Sequence, residues 1–258
     1  MQASITVSGD PSLQYLLRIG DLCLIHGQRT AEWCGHAPVL EEDIALSNMA
    51  LDLIGQARAV LSLAGSLNQP ILDEDQLAFL RDERDYRNVT LVELPRGDFA
   101  FTVLRNLMVA TFCRLLWQRL AGHSSNGDLA GIAAKAVKES RYHQQHAADW
   151  LVRLGDGTEE SAGRCAAAMS RLWPYGAEWF DGDAIDDAAA ASGIGPRWSE
   201  LRAPWLAAMT AVCAEAKVPV PVTGAFRSTG KRGVHSEHMG FLLAEMQHLQ
   251  RSFPGGVW

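Results

Sequence analysis

The chain has 258 residues, 48% of them hydrophobic, and a formal net charge of −7 from 23 basic and 30 acidic side chains. That apolar content is enough for one large core or two small ones, and the acidic balance argues against nucleic acid as a main partner. The five cysteines, Cys23, Cys34, Cys113, Cys165 and Cys213, form no CxxC pair. An odd, scattered set indicates reduced thiols in a cytoplasm rather than a disulfide framework.

The opening MQASITVSGDPS has neither the basic nor the apolar region of a secretion signal, and residues 1–11 read as a loose arm. Ser12 is a candidate cap for a first long helix running to about Trp33, with Leu13, Leu16, Leu17, Leu24 and Ile25 inward. GHAP at 35–38 breaks it. A second long helix follows from Glu41 to Ala64, without proline. Leu46, Met49, Ala50, Leu53, Ala57, Val60, Leu61 and Ala64 make one apolar stripe, and Ile44, Leu51 and Ile54 a second. A helix apolar on most sides is expected at the centre of the fold. Asn48, Asp52 and Gln56 share the remaining line, where a buried Asp52 would require a metal, a cation or several donors.

The crossing at 66–97 contains a short helix at about 73–84 and a stretch of strand propensity from Val89 to Leu94. Asp98 caps a third long helix to about Ala121. Its apolar tract, Phe99 to Trp117, carries Arg105, Asn106 and Arg114, which identifies a core helix rather than a bilayer span. After the loop GHSSNGD a fourth long helix covers about 128–154 and stops at Gly155. Further helices are expected at about 159–181, 183–192, 197–216 and, beyond the loop PVPVTG, 236–252. No repeat or flexible linker divides the chain, so a single domain, 1–258, is expected. Four long helices in two hairpins with a long central crossing give an all-α fold: a ferritin-like four-helix bundle with additional C-terminal helices.

Such bundles often hold two metal ions, with a Glu from each of two helices and a Glu-x-x-His from each of the others. In the fourth helix Leu129, Ile132, Ala136, Glu139, His143, His146 and Trp150 recur on one face, with Glu139, His143 and His146 at its centre. This is either a metal half-site or a buried polar ladder. The other helices reduce the metal reading. The second helix has no histidine and reads Asp52-Leu-Ile-Gly55 where a Glu-x-x-His would sit. The third has no acid between Phe99 and Ala121, and the first offers only Asp21 and Glu32, three turns apart. An arginine from the third helix would supply the charge opposite Asp52 and Glu139 without a metal. No catalytic, metal or cofactor-binding residue is therefore assigned, and Asp52, Gly55, Glu139, His143 and His146 are read as degenerate metal-site positions.

No GxSxG, P-loop or GxGxxG occurs. Lys231 and Arg232, between glycines in TGKRGVHSEH before the last helix, could receive an anion or a partner, or lie in a solvated loop. The eight tryptophans are expected mainly in the core.

Several segments carry a resemblance: Ala31-Glu-Trp-Cys-Gly-His-Ala-Pro38, Asn48 with Leu51-Asp-Leu-Ile-Gly-Gln-Ala-Arg58, Lys138-Glu-Ser-Arg-Tyr-His143, Thr229-Gly-Lys-Arg-Gly-Val-His-Ser-Glu-His-Met-Gly240, and Leu243-Ala-Glu-Met-Gln-His-Leu-Gln-Arg251. From about residue 12 to Trp258 the chain resembles the C subunits of phenylacetyl-CoA epoxidase complexes. The resemblance implies a ferritin-like structural subunit that has lost its metal ligands. It would support a catalytic A subunit, which holds di-iron and binds phenylacetyl-CoA, in a heterodimer that assembles further. It also implies a small B subunit and a reductase carrying FAD and an iron–sulfur centre. The complex would use NADPH and O2 to form the ring 1,2-epoxide. The chain itself would carry no cofactor and bind neither nucleic acid nor membrane, and in isolation it could form a homodimer. Two alternatives come from other classes. One is a carboxylate-bridged di-metal oxygenase using Asp52, Glu139, His143 and His146; the other is an acyl-CoA-binding module using Lys231 and Arg232.

Overall fold

The structure, a computed structural model, describes residues 3–222 and 224–256. Met1, Gln2, Thr223, Val257 and Trp258 lie outside the described residues, and with them parts of the N-terminal arm, of the PVPVTG loop and of the closing segment. The described residues form helices without strands: α1 (Pro11–Ala31), α2 (Leu40–Ser66), α3 (Glu74–Phe79), α4 (Phe99–His123), α5 (Gly127–Gly155), α6 (Glu159–Leu172), α7 (Ala184–Ser192), α8 (Arg202–Glu215) and α9 (Glu237–Ser252). α1 packs along α2 and α4 along α5, and these hairpins make the four-helix bundle expected of the ferritin-like class. α6 and α8 cover α4 and α5, α7 packs on α1, and α9 closes over α3.

α4, not α2, is the central helix. Every residue from Ala100 to Cys113 is buried, including Phe112, Leu104 and Leu107 at 0% exposure. Burying each such side chain stabilises the fold by about 1.5–3 kcal/mol. α2 instead leaves its second stripe outside, with Ile44 53% and Leu51 66% exposed. Periodicity alone shows that two faces are apolar; it does not show that one of them has no neighbour within the chain.

Local chemistry explains the remaining boundaries. α1 is capped by Asp10, whose Oδ1 accepts from the Ser12 and Leu13 amides, with Pro11 in the first turn; Ser12 lies inside the helix. The arm before it is tied down by Ile5 N–H to Leu80 O at 3.0 Å and Ser8 N–H to Asn68 Oδ1 at 2.8 Å. Asp98 caps α4 through the Phe101 amide, as expected. Val89 to Leu94 is no strand: Thr90–Val92 makes a 3₁₀ turn with Leu91 and Val92 fully buried. The short helix at 73–84 splits into α3 and a 3₁₀ turn, Glu83–Asp85. The helix expected at 159–181 ends at Leu172 and tightens into the 3₁₀ segment Trp173–Phe180, because Pro174 has no N–H to give an α-helical bond. That expected at 197–216 begins as a 3₁₀ turn, Trp198–Leu201. Gly155 ends α5 against backbone; a Cβ there would lie 2.0 Å from Ala216 O. Six tryptophans are buried, Trp150 is half-buried, and Trp258 lies outside the described residues.

Candidate functional site

The fully inward line of α5 is Leu129, Ala133, Ala136, Ser140, His143, Ala147 and Leu151. It is turned one position from the face read off the sequence. Glu139 and His146 therefore flank the core at the seam with α2. There the polar groups find partners within the chain. His143 Nε2 lies 3.0 Å from Asp52 Oδ2, and His146 Nε2 lies 2.9 Å from Glu42 Oε2. Gln56 Nε2 donates to Glu139 Oε2 at 2.9 Å, and Lys135 reaches the other Glu139 oxygen at 3.5 Å. Burial pushes the His143 pKa below its ordinary value, against the hydrogen bond and charge of Asp52. A neutral His143 donating from Nε2 to Asp52 satisfies that balance.

Three expectations are corrected here. Asp52 is not buried; its side chain is 39% exposed. No arginine of α4 faces Asp52 or Glu139. Arg105 instead donates to Leu94 O at 2.7 Å and Pro95 O at 3.3 Å, and burial, reinforced by Arg29, pulls its pKa down to about 9. Gly55 faces outward, with no atom within 4 Å of where a Cβ would stand. Of the two acids expected from the first helix, Asp21 is bonded to Arg81 and to the Arg87 amide, and Glu32, just past the end of α1, to Arg29.

Glu42 escaped the sequence reading, although it begins the buried line Glu42, Leu46, Met49, Leu53, Gln56, Val60. A carboxylate on that line signals a buried partner. His26 escaped too. It lies in the bundle centre, where burial, then the charge of Arg105, then His143 drive its pKa well down.

A di-metal centre would occupy this central region. The hole there measures about 10 Å³, room for about one water, and is lined by His26, Thr30, Asn106, Cys113, Ser140 and His143. His26 Nδ1 and Asn106 Oδ1 have no protein partner. None of the lining residues is a carboxylate. Among the described residues no three His, Cys, Asp or Glu side chains come together as a metal-holding group. These residues do not fit a carboxylate-bridged di-metal site, which needs four acids from four helices.

The segment around Lys231 is built differently. Lys231 is 1% exposed, its Nζ lying 3.1 Å from Asp186 Oδ2 and 2.9 Å from Asp181 O. It faces inward, away from any solvent anion; Arg232 beside it is half-exposed against Asp181. Glu178 accepts from the Lys231 and Thr90 amides and from Ser228 Oγ. Glu93 bonds His235 Nδ1 at 2.5 Å and both the amide and hydroxyl of Ser236. The motif thus clamps the C-terminal segment to the central crossing.

The profile of the family described as phenylacetic acid catabolic protein matches residues 2–258. The chain belongs to that family. The C subunit of the 1,2-phenylacetyl-CoA epoxidase of Escherichia coli (strain K12) is 49% identical to it over 244 residues, covering 95% of this chain and 98% of that protein. The resemblance read from the motifs is therefore borne out. Phe99–His123 is apolar and long enough to cross a membrane by composition, and it forms the buried α4.

Proposed function

We propose that this chain is a non-catalytic structural subunit of a cytoplasmic phenylacetyl-CoA 1,2-epoxidase, supporting the di-iron catalytic subunit in phenylacetate degradation. The observation that carries this reading is the side-chain pairing within the chain along the α2–α5 seam. Asp52, Glu42, Glu139, His143 and His146 each engage a side chain of the same chain. Groups already paired in this way are poor candidates to converge on a shared ion.

Under this reading the companion A subunit holds the iron and the acyl-CoA, the oxygenase also includes a small B subunit, and FAD, iron–sulfur and NADPH belong to the reductase. This chain contributes surface. The outer stripe of α2 suits that role: Leu40 is 72% exposed, Ile44 53% and Leu51 66%, and Tyr142 of α5 stands beside the seam at 55%. An aliphatic stripe on a bundle helix is the kind of face that a helix of another protein covers.

Co-purification followed by elemental analysis of each separated chain tests the proposal. The expected result is a stable complex with iron confined to the companion. One or more equivalents of iron on this chain would instead carry the oxygenase reading.

A further inference from the structure

A second region, independent of the subunit reading, has the features of a ligand site. The 3₁₀ segment Trp173–Phe180, the start of α8 and the loop at 224–227 enclose an open cleft of about 160 Å³. A cavity of about 150 Å³ holds one benzene ring. Its aromatic wall is rigid. Trp173 stacks on Trp205 with centroids 5.3 Å apart, and Phe180 lies 5.4 Å from Trp205. Trp205 is fixed by its indole N–H, which donates to Met108 O at 3.0 Å. Leu206, 41% exposed, completes the apolar side.

The mouth is cationic. Arg202 and Arg227 both line it. Arg227 Nη1 donates to the Gly224 and Phe226 carbonyls, which fixes the guanidinium without neutralising it. Among the described residues neither arginine meets a carboxylate, whereas the exposed Arg58, Arg119, Arg164 and Arg197 each sit on one. The single acid of the lining, Asp181, is bonded to Arg232 at 2.9 Å. Two unneutralised guanidinium groups beside a ring-sized aromatic slot, in a chain of net charge −7, form a local anion-attracting field.

We propose that this cleft binds a small aromatic anion, its ring lying between Phe180, Trp205 and Leu206 and its acid group meeting Arg202 and Arg227. A free aryl carboxylate and a nucleotide both offer a planar ring with an attached acid, and the probes separate them.

Isothermal titration of the full chain with benzoate and with adenosine monophosphate tests this. Benzyl alcohol, cyclohexanecarboxylate and inorganic phosphate serve as controls lacking one feature each. Saturable binding of a ring acid is expected, with Kd of about 1 mM or tighter. Benzoate binding alone assigns an aryl carboxylate, and adenosine monophosphate binding alone assigns a nucleotide. Arg202→Ala with Arg227→Ala, both exposed positions, weakens binding by about tenfold or more. Leu206→Trp abolishes it by filling the slot while both cations remain. The proposal is overturned if neither ring acid saturates, if any control binds equally well, or if affinity survives in both variants.

Discussion

Lys231 Nζ lies 3.1 Å from Asp186 Oδ2, with both side chains almost fully buried, while the next residue, Arg232, meets Asp181 at the surface. Two neighbouring cations thus contribute very differently. Lys231→Ala leaves the buried Asp186 with Arg18, whose Nη1 lies 3.1 Å from Oδ1, as its remaining cation, and a loss of about 1–3 kcal/mol is expected from the unpaired Oδ2. Arg232→Ala removes a half-exposed pair and costs about 0–1 kcal/mol. Urea unfolding of the two variants checks the contrast; equal losses would mean that Lys231 is not held as described.

Stability should peak near neutral pH because the buried histidines act in opposite senses. Burial lowers the pKa of His26 and His143 below 6.5, so the unfolded chain binds more protons at these positions. Their contribution is present above pH 6.5 and is lost as the pH falls toward the folded values. At His235 burial also disfavours the proton, but Glu93 and the Tyr86 carbonyl outweigh it and raise the pKa. That contribution is full below pH 6.5 and disappears as the pH rises through the folded value. Denaturation midpoints between pH 5 and 9 should fall on both sides. His26→Leu flattens the acid side and His235→Gln the alkaline side.

Much of this architecture was legible beforehand because it rests on local signals. The Asp98 cap, the apolar α4 and the inward placement of His143 need only spacing and capping chemistry. What escaped depends on long-range pairing. Nothing near Lys231 in sequence announces Asp186, 45 residues away, and nothing near Glu93 announces His235, 142 residues away. The central position expected for α2 failed for a related reason. Exposed aliphatic residues such as Leu51, 66% exposed, repeat at the same spacing as core residues, so periodicity alone does not tell the two apart.

That last point gives a prediction. Ile44→Glu with Leu51→Glu places two charges on the outer stripe of α2 without touching the core. Stability of the isolated chain should change by no more than about 0.5 kcal/mol per site. Pull-down of the companion catalytic subunit should be lost. Full retention of the complex would move the contact surface elsewhere.

The most direct test of the structural role is the epoxidation rate per assembled complex when this chain carries Glu139→Gln and His143→Gln. Both substitutions abolish carboxylate or imidazole ligation yet retain hydrogen-bonding capacity toward Gln56 and Asp52. Purified complex of matched composition should turn over within about twofold of the parent. A fall of roughly two orders of magnitude or more in an intact, iron-replete complex would show that these side chains take part in the chemistry, and would contradict the account.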